Sequence, residues 1–257
     1  MNVYVSGFLW VVCAVIAGAL IAYSVRRYGL DEGRRDNNDA AGQAFTIIGG
    51  LHAVVVAFVL ISLFDAAVQA RERANVEARS LVAATWAANS LPGSVPGQVR
   101  ELAKDYARTV VRQEWPHMQQ GTEIPGEGWA LLDQMRTTVE SAVPVVQPGN
   151  DWMVRRKVEA QADLVEVYQI RQARLNAVKD NQVGSVLWFV LAVGSLIFVL
   201  LPNLFGGTKP ITHIIIVSAL AAATALLCFA IYQLQNPYGG GTKTGPEPFN
   251  QAIERLG

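Results

Sequence analysis

Four long stretches of this 257-residue chain carry no charged side chain: Met1 to Val25, Ala40 to Phe64, Asn181 to Thr208 and Pro210 to Thr242. A helix rises ~1.5 Å per residue and needs ~20 apolar residues to cross ~30 Å of hydrocarbon, so each stretch is long enough to span a bilayer. Composition agrees, because 51% of residues are hydrophobic and only 16% charged, against about 25% charged in a typical soluble domain. The charge that exists is segregated, with 15 acidic and 14 basic residues lying between Asp65 and Asp180. The expected fold is all-α: a polytopic membrane protein with four transmembrane helices and a helical insert between the second and third.

The spans are expected at about Val3 to Ser24, Ala44 to Phe64, Val183 to Leu201 and Ile211 to Leu234. In the first, the basic residues Arg26 and Arg27 follow the apolar run instead of preceding it, which argues for a permanent anchor over a cleaved signal. Pro202, Gly206, Gly207 and Pro210 punctuate a short turn joining the last two spans into a hairpin. The chain therefore divides into a first transmembrane pair (residues 1–64), an extramembrane helical insert (65–182), a second transmembrane pair (183–235) and a C-terminal tail (236–257). With four crossings, the insert and both ends share one side. Arg26, Arg27, Arg34, Arg35 and Lys209 in the short loops place the insert outside the cytoplasm by the positive-inside rule. Arg71, Arg73, Arg79, Arg171, Arg174 and Lys179 near the ends of the insert weigh the other way.

Within the insert, no Gly or Pro interrupts the chain from Phe64 until Pro92, which extends the second span as one helix beyond the membrane. A second helix carries Val99, Leu102, Tyr106 and Val110 at spacings of three and four and stops near Trp115 and Pro116. A shorter helix runs around Trp129 to Val143. The last starts after Asn150 or Asp151, presents Val154, Val158, Ala162, Val165, Tyr168, Leu175 and Val178 on one face, and continues into the third span.

Balanced charge, 21 basic against 21 acidic residues, gives no footprint for nucleic acid. Cys13 and Cys228 fall inside apolar spans, where a thiol acts as a small hydrophobe. Three histidines in three separate regions, His52, His117 and His213, give neither metal-ligand spacing nor a nucleophile and base. No metal, cofactor or catalytic set is expected, and the chain does not read as an enzyme. Pairs such as Arg73 with Glu77 read as solvated helix faces.

An ionisable group inside a span is costly and so draws interest. His52 shares a stripe of the second span with Val56, Val59 and Leu63, next to Gly49 and Gly50, where side chains are absent. One reading makes His52, Val56, Val59 and Leu63 pore-lining, with the aliphatic residues forming a dewetting constriction and the histidine a vestibule. The other makes His52 a neutral histidine hydrogen-bonded between packed helices.

The stretch from Leu234 through Gln-Asn-Pro-Tyr-Gly-Gly, followed by Gly245-Pro-Glu-Pro-Phe-Asn-Gln-Ala, resembles the end of a bacterial membrane family called the bestrophin-like domain family. Phe64-Asp65-Ala66-Ala67 followed by Glu77-Ala78 resembles that family's exit from its second span. The resemblance covers nearly the whole chain. It implies similarity to bestrophins, which are pentameric anion channels with pores lined by the second span and helical cytosolic portions. It therefore places the insert in the cytoplasm. Val56, Val59 and Leu63 would stand where bestrophins carry a narrowing aromatic ring, and the acidic clusters of a calcium clasp are missing. The expected function is a homo-oligomeric ion channel, pentameric by analogy, in the inner membrane. The alternative is a structural or regulatory membrane protein whose helical insert docks an unknown protein partner.

Overall fold

The structure is a computed structural model and describes residues 2–28, 38–144, 151–180, 183–204, 209–241 and 243–257. Arg34, Arg35, Asn150, Gly206 and Gly207, named above, lie outside these. Among the described residues there is no strand, and the helices are α1 (Val3–Arg27), α2 (Asn38–Ala88), α3 (Val95–Thr109), α4 (Trp115–Gln120), α5 (Glu127–Ser141), α6 (Trp152–Asp180), α7 (Ser185–Leu200), α8 (Pro210–Leu234) and α9 (Glu247–Leu256). Helices α1, α2, α7 with its short 3-10 extension, and α8 are long and apolar enough to cross a membrane. The chain is an all-α polytopic membrane protein with four spans and a helical insert between the second and third.

Two compact units form, one from Met1–Phe64 with Val183–Gln235 and the other from Asp65–Gln182 with Asn236–Gly257. In the first, α1 lies along α8 where side chains are smallest. A Cβ on Gly18 would stand 2.9 Å from the Ala221 Cβ, and one on Gly7 would stand 2.8 Å from the Phe229 ring. Such small residues let helices approach where lipid gives no hydrophobic drive to associate. Trp10 then rests against Phe229 and Tyr232, its ring 6.0 and 5.9 Å from theirs.

The second unit encloses the larger core. Its α3 buries Val99, Ala103, Tyr106 and Ala107, and Val110 is buried just beyond it; of the stripe its sequence predicts, Leu102 is only partly buried. That helix does not stop at Pro116. It passes through one π-helical turn, Val110–Glu114, and continues as α4 to Gln120. A proline ring collides with the carbonyl four residues back. The wider turn, in which the Trp115 N–H reaches Val110 O, absorbs this just before Pro116, and α4 ends in a left-handed Gly121 (φ 66°).

Two further expectations are corrected. Helix α6 does not run on into the third span, because Val183 and Gly184 are non-helical and Gly184 caps α7 in an extended conformation. The face of α6 that is buried is also not the valine face. Ala160, Leu164, Val167, Arg171, Arg174 and Ala177 point inward, while Val154, Val158, Val165 and Tyr168 are exposed.

Candidate functional site

Val56, Val59 and Leu63 are buried, packing with Leu191, Ile231 and Leu234 of α7 and α8. Within the protomer this stripe is interhelical core. The open face of the same helix carries Leu51, Val54, Phe58, Ile61 and Phe64 instead. His52 is half-buried, its Nε2 3.3 Å from Ser195 Oγ. Its ring occupies the space left by Gly194, where a Cβ would stand 2.6 Å from Nδ1. Gly49 makes a similar allowance for Phe198, whose ring would lie 2.7 Å from a Cβ there, whereas Gly50 faces open space. The histidine is thus hydrogen-bonded between packed helices. Asp65 is exposed on the unbroken α2. His213 is buried against Asn203 Oδ1 at 3.0 Å, and His117 Nδ1 lies 2.8 Å from Thr122 Oγ1.

The strongest concentration of charge is a cluster that the sequence pattern hides. Glu77, Glu114, Arg171 and Arg174 are all fully buried, together with Tyr106. Arg174 donates from Nε to Glu77 Oε2 at 2.7 Å and from Nη2 to Glu77 Oε1 at 3.0 Å. Nη2 also reaches Glu114 Oε2 at 2.9 Å. Arg171 Nη1 donates to the same Oε2 at 2.8 Å and lies 2.7 Å from Oε1, a contact that is ionic without being a directed hydrogen bond. The Tyr106 hydroxyl closes the ring by donating to Glu77 Oε1.

Two acids and two bases cancel, which removes the net charge but not the cost of desolvating each group. Aromatic faces offset part of that cost: Trp129 lies under the Arg171 guanidinium at 4.5 Å, while Trp115 and Phe249 flank that of Arg174 at 5.8 and 5.6 Å. Burial and the neighbouring Glu77 push the Tyr106 phenol well above its ordinary pKa. Burial alone would lower the pKa of Arg174, but Glu77 and Glu114 outweigh it and raise it. The backbone of α5 comes in over the cluster at Gly128, where a Cβ would lie 2.6 Å from Arg171 Nη1 and Nη2. Only hydrogen fits.

The C-terminal motif is anchored beside this cluster. Asn236 Nδ2 donates to Met118 O and Gln119 O, each at 3.1 Å, adding a donor at the C-terminal end of α4, where backbone carbonyls run short of intrahelical partners. Its Oδ1 accepts from the N–H groups of Tyr238 and Gly239. Trp115 Nε1 donates to Thr244 O at 3.0 Å, and Phe249 is buried in the same core. Burial raises the Tyr238 phenol to about 12. Asn236 and Phe249, two of the residues that carry the resemblance at this end, thus have a hydrogen-bonding and a packing duty.

Sequence reading assigned Arg171 and Arg174 to the ends of the insert and Glu77 to a solvated face. The available signal was the row Ala160, Leu164, Val167, Arg171, Arg174 and Ala177, spaced as a buried helix face, with two arginines where apolar residues would stand. Among the described residues no group of three or more His, Cys, Asp or Glu side chains is arranged to hold a metal ion.

Comparison with known proteins adds the family. No curated protein matches significantly. Crystal structures of two point variants of a bacterial bestrophin homologue from Klebsiella pneumoniae match over 100% of this chain. One has a TM-score of 0.69 at 13% identity over 98% of its own chain, the other 0.72 at 12% over 97%. A crystal structure described as a variant membrane protein matches with a TM-score of 0.70 at 12% identity, over 97% of this chain and 96% of its own. These similarities concern the fold. The model of the bestrophin-like domain matches residues 12–249, and the chain belongs to the bestrophin-like domain family.

Proposed function

We propose that this protein is a homo-oligomeric ion channel of the inner membrane. The observation that carries the reading is the inversion of α6, which buries Arg171 and Arg174 and leaves Val154, Val158 and Val165 in the open. An insert helix with a charged face inside and an apolar face outside has its valines placed for a subunit contact. A second copy of the chain is the occupant we assign, since four spans alone enclose no sizeable aqueous path and the fold is that of bestrophin homologues.

In this reading the axis is faced by the open side of α2. Val54, Phe58 and Ile61 stand at spacings of four and three on that side, and all three are exposed in the protomer. Phe58 supplies the aromatic ring for which Val56, Val59 and Leu63 had been considered. Apolar rings of this kind gate by expelling water. The resemblance to bestrophins supports a pentamer with the insert in the cytoplasm.

The test is mass measurement in nanodiscs combined with ion flux from liposomes holding the purified protein, against empty vesicles. A multimer that passes ions in a manner sensitive to Phe58→Ser supports the channel. A monomer in tight vesicles supports the second reading, in which the valine face of α6 docks a different protein.

A further inference from the structure

Outside the buried cluster, a recess between α2 and α9 gathers cations with no acid among its lining residues. It is half open to solvent, with a volume of about 120 Å³. Its floor includes Ala78 and Ala252, whose short side chains leave the space, and both are buried. Arg79 and Asn75 belong to one wall, Arg255 and Gln251 to the other. The spacing is the same on both helices, four residues from Asn75 to Arg79 and four from Gln251 to Arg255, so each presents one guanidinium and one amide.

Two like charges converging on one recess repel each other unless something negative stands between them. Arg79 leans to Glu72 at 3.3 Å in a pair whose side chains are 66% and 64% exposed. Exposed pairs of this kind are weak and readily exchanged. Arg255 makes no ion pair among the described residues. A volume of about 120 Å³ admits a small group of waters. It is well below the ~300–1,000 Å³ of sites for drug-sized ligands. It suits one tetrahedral group, which guanidinium forks recognise in two-pronged fashion while amides supply further donors.

We propose that this recess binds a single oxyanion of the phosphate class, carried either by free phosphate or by the headgroup of a phosphate-monoester lipid. The proposal is independent of the channel reading, since it concerns a site within the second compact unit and needs no pore.

The test uses the full chain purified in detergent at low salt, with inorganic phosphate titrated in a calorimeter. In a second arm the protein is reconstituted in nanodiscs of phosphatidylcholine with or without phosphatidic acid, and the lipid it retains is read by native mass spectrometry. Arg79→Gln and Arg255→Gln should each weaken binding about tenfold or more, with the double variant abolishing it. Arg79→Lys/Arg255→Lys should retain a measurable part. Asn75→Asp, which adds a carboxylate to the recess, should weaken binding through a different position. Melting followed by circular dichroism establishes that each variant is folded. Phosphate binding lost in the variants assigns the free ion, and phosphatidic acid retention lost in the variants assigns the headgroup. Binding in neither arm, or binding equal in wild type and the folded double variant, overturns the proposal.

Discussion

Arg174 grips Glu77 with two nitrogens, Nε at 2.7 Å and Nη2 at 3.0 Å, across 97 residues of sequence and with both side chains fully buried. This fork ties α6 to α2 inside the unit that also holds Tyr106, Glu114 and Arg171.

Removing one member of the fork leaves the buried cluster with one uncompensated charge. Glu77→Leu or Arg174→Met is expected to lower stability by about 3–5 kcal/mol, whereas the double change Glu77→Leu/Arg174→Met recovers much of the loss because the remaining charges balance. Thermal unfolding in detergent, arranged as a double-mutant cycle, measures both. A double variant as unstable as the sum of the singles would contradict the account.

Gly128 is the point at which backbone meets the cluster. Gly128→Ala inserts a methyl group within 2.6 Å of Arg171 Nη1 and Nη2, and overpacking of this kind costs about 1–3 kcal/mol. At Gly97, where a Cβ would meet nothing within 4 Å, Gly97→Ala serves as the control and should not destabilise. Equal melting temperatures for the two variants would remove Gly128 from the argument for close approach.

The two faces of α2 should separate in their effects. Leu63→Ala opens a cavity against Leu191 and Leu234, with an expected loss of about 2–5 kcal/mol in protomer stability. Phe58→Ser, on the open face, is expected to leave protomer stability nearly unchanged and to raise ion leak from liposomes. The reverse outcome would return the pore to the Val56, Val59 and Leu63 stripe.

The valine face of α6 predicts an assembly defect. Val158→Asp/Val165→Asp places two charges on side chains that the protomer leaves 58% and 53% exposed, so the fold should tolerate them. Mass measurement in nanodiscs should show the multimer reduced to smaller species. An intact multimer would assign the subunit contact to another surface.

Asp163 sits half-buried on α6, and burial first, then the charges of Glu159 and Glu166, raise its pKa above 3.8. The folded state therefore holds this proton more tightly than the unfolded chain does. Stability from the group is present below the unfolded pKa and is lost as pH rises through the folded value. Asp163→Asn should raise the melting temperature at neutral pH, with the gain shrinking as the pH falls below the raised pKa toward 3.8. A gain independent of pH would mean that titration is not its cause.

The four spans were legible because hydrocarbon tolerates no charge, so an uncharged run of sufficient length carries its own meaning. Helix bounds were nearly as legible where Gly and Pro punctuate the chain, as between Ala88 and Val95. Legibility failed at Pro116, where a π turn carried the helix past a residue that usually stops one, and at Gly184, where an apolar run concealed a break.

It failed more deeply on α6. Hydrophobic periodicity assumes that apolar residues face inward, and Val154, Val158 and Val165 satisfied that rule on the wrong side. Arg171 and Arg174 point inward because Glu77 arrives from α2, Glu114 from the turn before α4, and Trp115, Trp129 and Phe249 from three further segments. Pairing, and not polarity, decides whether a charge can be buried. The sequence by itself determined which segments enter the membrane, because that depends on each segment's own transfer energy. Only the tertiary structure decided which charges are buried and which apolar faces remain open, because both depend on partners that lie far away along the chain.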